Sequence, residues 1–414
     1  MGVDVSTLDG KLIMGYQGWF SCPTDSSSIP PGRWWHWFRE NAPPDAPSLT
    51  VDMWPDTSEF GTDELVSTNM TFSDGRPAAL YSAFTSSVVD RHFSWMRYNN
   101  LDGVMLQRFL CDLSDVVFKA FRDRVALNVM KSAETWGRGF AIMYDITGYR
   151  GTSIVQDITE DWTHLVDDLK LTNSSSYLKH KENPLLAIWG IGFNNEPGST
   201  RDNYPATPQD TINLTSHFRA RKVTMLGGVP YYWRTLTGDS KTDTAWANAY
   251  RSFDIISPWS IGRYAAQDIN AIQQIDSIQA NSMRADLAYL SGSNVEYLPV
   301  VFPGYSVRNK GNGPLNQIPR YGGRFWWRQV YNAILAGCTK IYGAMFDEVD
   351  EGTAMFKVVS DRQNLPREAQ DRLVYLNADG FRLTSDWYLH LAEEAGKMLR
   401  HETTPSQLLP IQAG

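Results

Sequence analysis

The chain has 414 residues, 42% of them hydrophobic and 20% charged, with a net charge of −8 and a pI near 5.4. That acidic balance argues against nucleic acid or an anionic membrane as partner, since both require basic surface, and no apolar run approaches the roughly 20 residues needed to cross a bilayer. Three cysteines, Cys22, Cys111 and Cys338, without CxxC spacing, point to neither a zinc site nor a disulfide framework.

The N-terminus lacks a basic start followed by an apolar core, so no signal peptide is present in this sequence. The protein is then expected in the cytoplasm if the chain is complete, or outside it if a signal was removed. Leu12–Phe20 reads as a first strand. Residues 21–64, rich in Pro, Ser, Asp and Trp, read as a long loop insertion at the active rim, and loops this long are usually functional. A helical pattern runs from Ser86 to Asn100, followed by a strand at Gly103–Phe109.

The alternation continues with a helix at Ser114–Glu134, capped by Ser114, and a strand at Gly139–Thr147. Helices at Asp157–Lys170, Thr207–Ala220, Thr242–Ser252, Ala266–Ser291 and Gly323–Gly337 are interleaved with five strands. These are Pro184–Phe193, Thr224–Pro230, Asp254–Ile261, Glu296–Tyr305 and Lys340–Phe346. Ser385–Leu399 is a final helix, with Thr384 or Ser385 as cap. Eight short, continuously apolar strands imply burial on both faces and hence a parallel sheet. Eight such units predict one closed (β/α)8 TIM barrel spanning residues 1–414 as a single domain, with long βα loops. No GxGxxG or GxxxxGK[ST] follows the first strand, which weakens a nucleotide-binding reading.

Chemistry in such a barrel sits at the C-terminal strand tips. Aromatic residues make up 13% of the chain, and many stand at these tips beside Gly, Pro, Arg or Asp. Flat rings beside polar groups suit the C–H face and hydroxyl edge of a sugar. The substrate-binding candidates are Tyr16, Trp19, His36, Asp145, Trp233, Trp259, Tyr264, Tyr305 and Arg308. His36 reads equally as a histidine inside an aromatic loop core. Trp189 reads as barrel filling. Arg320, Arg324 and Arg108 read either as ion-pair partners of acids or as substrate contacts.

The last strand ends in Asp347, Glu348, Asp350 and Glu351, followed by Gly352 and Thr353. Like charges this close raise one another's pKa and need compensation. A solvated acidic turn is one reading and a catalytic pair another. A calcium loop fits poorly, because the run is too short for the six to eight oxygens that calcium takes, so neither metal nor other cofactor is expected.

The DEVDEGT stretch at 347–353 resembles the ExxEGT signature of glycoside hydrolase family 99, the endo-α-mannosidases, with family 71 more distant. VFPGY at 301–305, Arg308, IPRYGGRFWWRQVYNAILAG, the N-terminal GYQGWF and RWWHW, and YSAFTSSVVDRHFSWM extend the resemblance. The chain is most similar to the family 71/99-like proteins labelled xylosidase/arabinosidase. The resemblance implies a metal-free, retaining α-glycosidase. In it the first Glu, here Glu348, acts as base on the sugar 2-hydroxyl to give an epoxide-like intermediate. The second, here Glu351, is the acid/base at the glycosidic oxygen. Between them the mannosidases carry Trp-His, where this chain has Val349-Asp350, so mannose is not implied.

The expected function is hydrolysis of an α-linked oligosaccharide or polysaccharide by Glu348 and Glu351. The alternatives are a non-catalytic carbohydrate-binding protein on the same scaffold, and a lyase or transglycosylase using the same acids. Sugar, linkage, endo or exo action and oligomeric state are not legible.

Overall fold

The structure is a computed structural model and describes residues 2–29, 33–195, 203–311 and 313–412. Its centre is a ring of parallel strands. Leu12–Tyr16 pairs on one side with Gly103–Phe109, which is followed round the ring by Gly139–Asp145, Asn183–Trp189, Thr224–Pro230 and Ile255–Trp259. On its other side Leu12–Tyr16 pairs with Ile341–Gly343.

The expected strand at 296–305 is the closing seam, and it is split. Glu296–Tyr297 pairs with Ile255–Trp259, while Val300–Val301 pairs with Ile341–Gly343. Between the two pieces the backbone still bonds to both neighbours, Leu298 N donating to Ile256 O (2.9 Å) and Tyr342 N to Pro299 O (2.9 Å). A proline cannot donate to a ladder, so Pro299 sits where the strand changes partner. The eight-stranded (β/α)8 ring is thereby closed.

The strands form because their residues are apolar on both faces. Gly139–Asp145 and Thr224–Pro230 are buried along their whole length. Several boundaries shift by a few residues for local reasons. The second helix runs Val116–Trp136 and is capped by Asp115, whose carboxylate accepts from Val117 N and Phe118 N, so Ser114 is not the cap. Helix Pro208–Ala220 starts as expected on Thr207, with Asp210 completing a capping box. Helix 242–252 shrinks to Trp246–Tyr250 and the long sixth helix to Gln274–Leu290. The last helix is Trp387–Leu399, with Asp386 rather than Thr384 or Ser385 at the cap position.

An antiparallel hairpin, Leu65–Thr71 with Pro77–Tyr81, precedes the first helix and was not expected. The segment before it is partly ordered by a short 3-10 turn at Ala46–Ser48, capped by Asp45. It is tied to the far end of the chain: Asp52 N and Met53 N both donate to Val349 O (2.9 and 3.0 Å). The aromatic-rich insertion is thus bonded to Val349, one of the two residues between the candidate glutamates.

Candidate active site

The chain leaving the eighth strand folds over the tip of the first. Asp347 accepts from the backbone N–H groups of Gln17 (2.7 Å) and Gly18 (2.9 Å). Gly18 has φ +56°, a left-handed conformation that glycine adopts without strain. Burial pushes Asp347 up to about 7 although the two N–H donors work the other way. Asp347 therefore anchors the turn.

Glu348 points to the same tip. Its Oε1 accepts from Gln17 Nε2 (3.0 Å) and its Oε2 from the Thr353 hydroxyl (2.9 Å). Burial, then the negative charges of Glu351 and Asp350, raise its pKa well above the ordinary glutamate value, with Lys310 opposing. The following turn is held from outside by Arg320, whose Nη2 donates to Gly352 O (2.8 Å) and Ala354 O (2.7 Å), and by Ser306 N, which donates to Glu351 O (2.9 Å).

One ammonium joins the other two acids. Lys310 Nζ lies 3.2 Å from both Asp350 Oδ2 and Glu351 Oε1, and 5.1 Å from the centre of the Trp19 ring. Burial acts against the Lys310 charge, but Asp350, Glu351 and Glu348 outweigh it and keep it protonated. Burial likewise opposes ionisation of Asp350, yet Lys310 and His36 bring its pKa below the usual value. His36 Nδ1 is 3.5 Å from Asp350 Oδ2, and the imidazole stacks flat on Trp19 at 3.8 Å between centroids. Burial lowers the His36 pKa despite that carboxylate. Asp350 is buried, whereas the Glu351 side chain is 30% exposed, so Glu351 is the acid that solvent or a ligand can reach. A cavity of about 240 Å³ opens beside Lys310 and Asp350, walled further by Trp34, Trp35, His36 and Arg39.

The candidate residues divide into three groups. Trp19 and His36 stand with the acids. Three others point elsewhere. Tyr16 is fully buried behind its strand, its hydroxyl 2.8 Å from His92 Nδ1, because the neighbouring Gly15 takes the inward position against Tyr342 and Met345. Trp233 is buried with its indole N–H donated to Asp286 (3.1 Å), beside Tyr250 and Tyr289 of the outer helices. Tyr264 is buried against Phe302 and Phe325 and donates to Gln329 (3.0 Å). Their placement corrects the expectation of sugar contact for these three, since each phenol or indole is consumed inside the packing.

Trp259 is half-buried, edge-on to Trp189 at 5.2 Å and 6.5 Å from Tyr342. Asp145 is 9% exposed, accepts from Thr147 N (2.8 Å), and is pushed up to about 6 by burial. Tyr305 is half-buried, bridged by its backbone to Ile318. Arg308 is exposed, and only its backbone N–H reaches Asp52 (2.8 Å).

The expected arginine partners of the acids are elsewhere. Arg108 is paired with Asp161 and Asp123 behind the second strand, Arg320 holds carbonyls, and Arg324 lies over Phe381. Lys310 does the work instead. Its only sequence signal was a basic residue in a Gly- and Asn-rich turn close to Arg308, which does not say which cation points inward. Among the described residues no group of three or more His, Cys, Asp or Glu side chains could hold a metal ion, and no helix is long and apolar enough to cross a membrane.

No protein-family model and no curated protein matches the chain. Solved structures do. The GH99 endo-alpha-mannosidase from Bacteroides thetaiotaomicron is similar with a TM-score of 0.64 at 15% identity, covering 95% of this chain and 99% of that one. A structure of that enzyme with BIS-TRIS-propane gives the same TM-score and identity over 97% and 100%. A glycoside hydrolase-like protein gives 0.52 at 13% identity over 91% and 99%. The likeness is one of fold alone: the chain shares the barrel architecture of these structures.

Proposed function

We propose that the protein is a metal-independent glycoside hydrolase of the family 71/99-like type. In this reading one barrel domain cleaves an α-linked glycan with retention, through Glu348 and Glu351 and with participation of the sugar 2-hydroxyl. The observation that carries the reading is the contrast between two carboxylates on one turn. Glu348 is buried, doubly hydrogen-bonded and avid for a proton; Glu351 is half-exposed and held by Lys310.

A pair of acids whose surroundings push their proton affinities apart can divide acid and base work. Burial and the neighbouring negative charges favour a proton on Glu348 in the unliganded protein. In the complex Glu351, the group nearer solvent, carries the proton for the leaving oxygen. Glu348, then ionised, is a strong base toward the 2-hydroxyl because its site disfavours charge. As the 2-oxygen closes on C1 and gives its proton to Glu348, Glu351 gives its proton to the departing glycosidic oxygen. Water then attacks C1 and yields a proton to Glu351, while the O2–C1 bond breaks and Glu348 returns its proton to O2. Trp19, His36, Asp145, Trp259, Tyr305 and Arg308 supply sugar contacts around the pair.

The test is hydrolysis of α- and β-linked aryl glycosides and plant or fungal polysaccharides, with Glu348→Gln and Glu351→Gln beside the wild type. Turnover is expected to fall by orders of magnitude in both variants while sugar binding persists. Unchanged turnover in both variants would exclude the reading. Calorimetric sugar binding by a wild type that hydrolyses nothing over long incubation would point to a carbohydrate-binding protein instead.

A further inference from the structure

A second cavity of about 280 Å³ lies next to the aromatic one and is lined by Arg39, Arg308, Asn309, Gly313 and Arg372. Arg39 lines both cavities, and Arg308 stands two residues before Lys310. Three arginines line one chamber of a chain of net charge −8, and among the described residues none of the three forms an ion pair. The acids nearest them in sequence are committed elsewhere: Glu40 to Arg33, and Asp371 to Arg362. Asp52 is buried, and its carboxylate accepts from the Ser306 hydroxyl, Arg308 N and Asn309 N.

The chamber is also braced. Asn309 Nδ2 donates to Val51 O (2.9 Å) and to Arg372 O (2.8 Å), so the segments bearing Arg308 and Arg372 are bonded directly to each other. Arg39 N donates to Ser48 O (2.7 Å), and Val374 N to Asp52 O (2.7 Å). Unpaired arginines brought together from three segments on a hydrogen-bonded frame leave several planar N–H pairs open. That geometry matches a carboxylate or sulfate, which arginine binds through two parallel bonds.

We propose that this chamber is an oxyanion subsite, and that the glycan taken at the neighbouring acids carries a carboxylate or a sulfate ester. The word substrate rests on the glycosidase reading; the binding claim does not. The chemistry shared by a uronate, a sulfate ester and a free inorganic anion is the oxyanion, and the test separates them. Full-length Glu348→Gln protein, which retains the arginines, is applied to an array of glycans in matched neutral, uronate-bearing and sulfated forms, and is titrated with inorganic sulfate.

The expected result is retention of uronate or sulfated members at least ten-fold tighter than their neutral counterparts. That preference is lost when Arg308→Gln and Arg372→Gln are added, while thermal denaturation shows the variant folded. Arg39→Gln alone gives a partial loss and guards against misfolding of the double change. Equal retention of neutral members, no retention of acidic ones, a preference indifferent to the arginines, or binding of inorganic sulfate alone would each overturn the proposal. If wild type cleaves neutral glycans without acidic preference, this inference fails and the hydrolase reading stands. If acidic glycans bind through the arginines and nothing is cleaved, the reverse holds.

Discussion

The side-chain amide of Gln17 donates to Glu348 Oε1 across 3.0 Å and so joins the tip of the first barrel strand to the turn after the last. Closure of the barrel brings these residues together, since their strands, Leu12–Tyr16 and Ile341–Gly343, are neighbours in the ring. Gln17→Leu removes that donor and leaves Glu348 with the Thr353 hydroxyl alone. Turnover is expected to fall roughly 10- to 100-fold with little change in KM, the effect of a misplaced acid rather than a lost sugar contact. Steady-state kinetics on whichever glycoside proves to be cleaved decide it, and a loss confined to KM would place Gln17 in binding.

Lys310 sets the charge balance of the site. Its ammonium lowers the proton affinity of both Glu348 and Asp350. Lys310→Met removes that positive charge, so both acids hold protons to higher pH. The pH–rate profile is expected to move upward in Lys310→Met, because the opposing positive charge is gone. A profile that stays in place would mean that the ammonium does not act on the titrating pair.

A third prediction concerns stability away from the site. Asp286 accepts from Trp233 Nε1, Arg234 Nε and the Tyr297 hydroxyl, yet burial pushes it from 3.8 up to about 6. Between those values the folded protein keeps a proton that the unfolded chain releases, so folding stability from this group falls as pH rises from about 4 to about 6. Asp286→Asn does not titrate. The stability of the wild type relative to that variant is therefore expected to drop by roughly 2 kcal/mol from pH 4 to pH 7. Denaturant unfolding at both pH values measures it, and a pH-independent difference would contradict the shift.

The barrel was legible because its strands are apolar on both faces, and that pattern survives in the sequence alone. The hairpin was not, since the sequence LVSTNMT of Leu65–Thr71 shows little apolar alternation, its two buried positions being Thr68 and Met70. Glu348 and Glu351 could be singled out as neighbours on one turn, but their unequal burial depends on the Gln17 tip and on Lys310, far away in sequence. Tyr16, Trp233 and Tyr264 failed for another reason. Successive side chains on a strand face opposite ways, and a strand-tip aromatic can turn to the helices as readily as to the mouth. For Tyr16 the deciding fact is the inward position of Gly15, which no composition argument supplies. Lys310 was missed because neighbouring cations in an irregular turn carry no period from which direction can be read.

The last prediction tests the turn itself. Gly352 has φ +65°, and a Cβ added there would stand 2.9 Å from Ser306 Cβ and 3.0 Å from Ser306 N. Ser306 cannot retreat freely, because its N–H donates to Glu351 O and its hydroxyl to Asp52. Gly352→Ala therefore combines left-handed strain with a backbone clash and is expected to cost about 2–4 kcal/mol. Because the displaced segment leads to Lys310 and Glu351, turnover should fall by more than the folded fraction does. Gly148 has φ +70° but nothing within 4 Å of an added Cβ, so Gly148→Ala should cost only about 1 kcal/mol and leave turnover unchanged. Thermal denaturation and turnover measured on both variants separate the two contributions; equal losses at the two glycines would show that the contact between Gly352 and Ser306 does not position the acids.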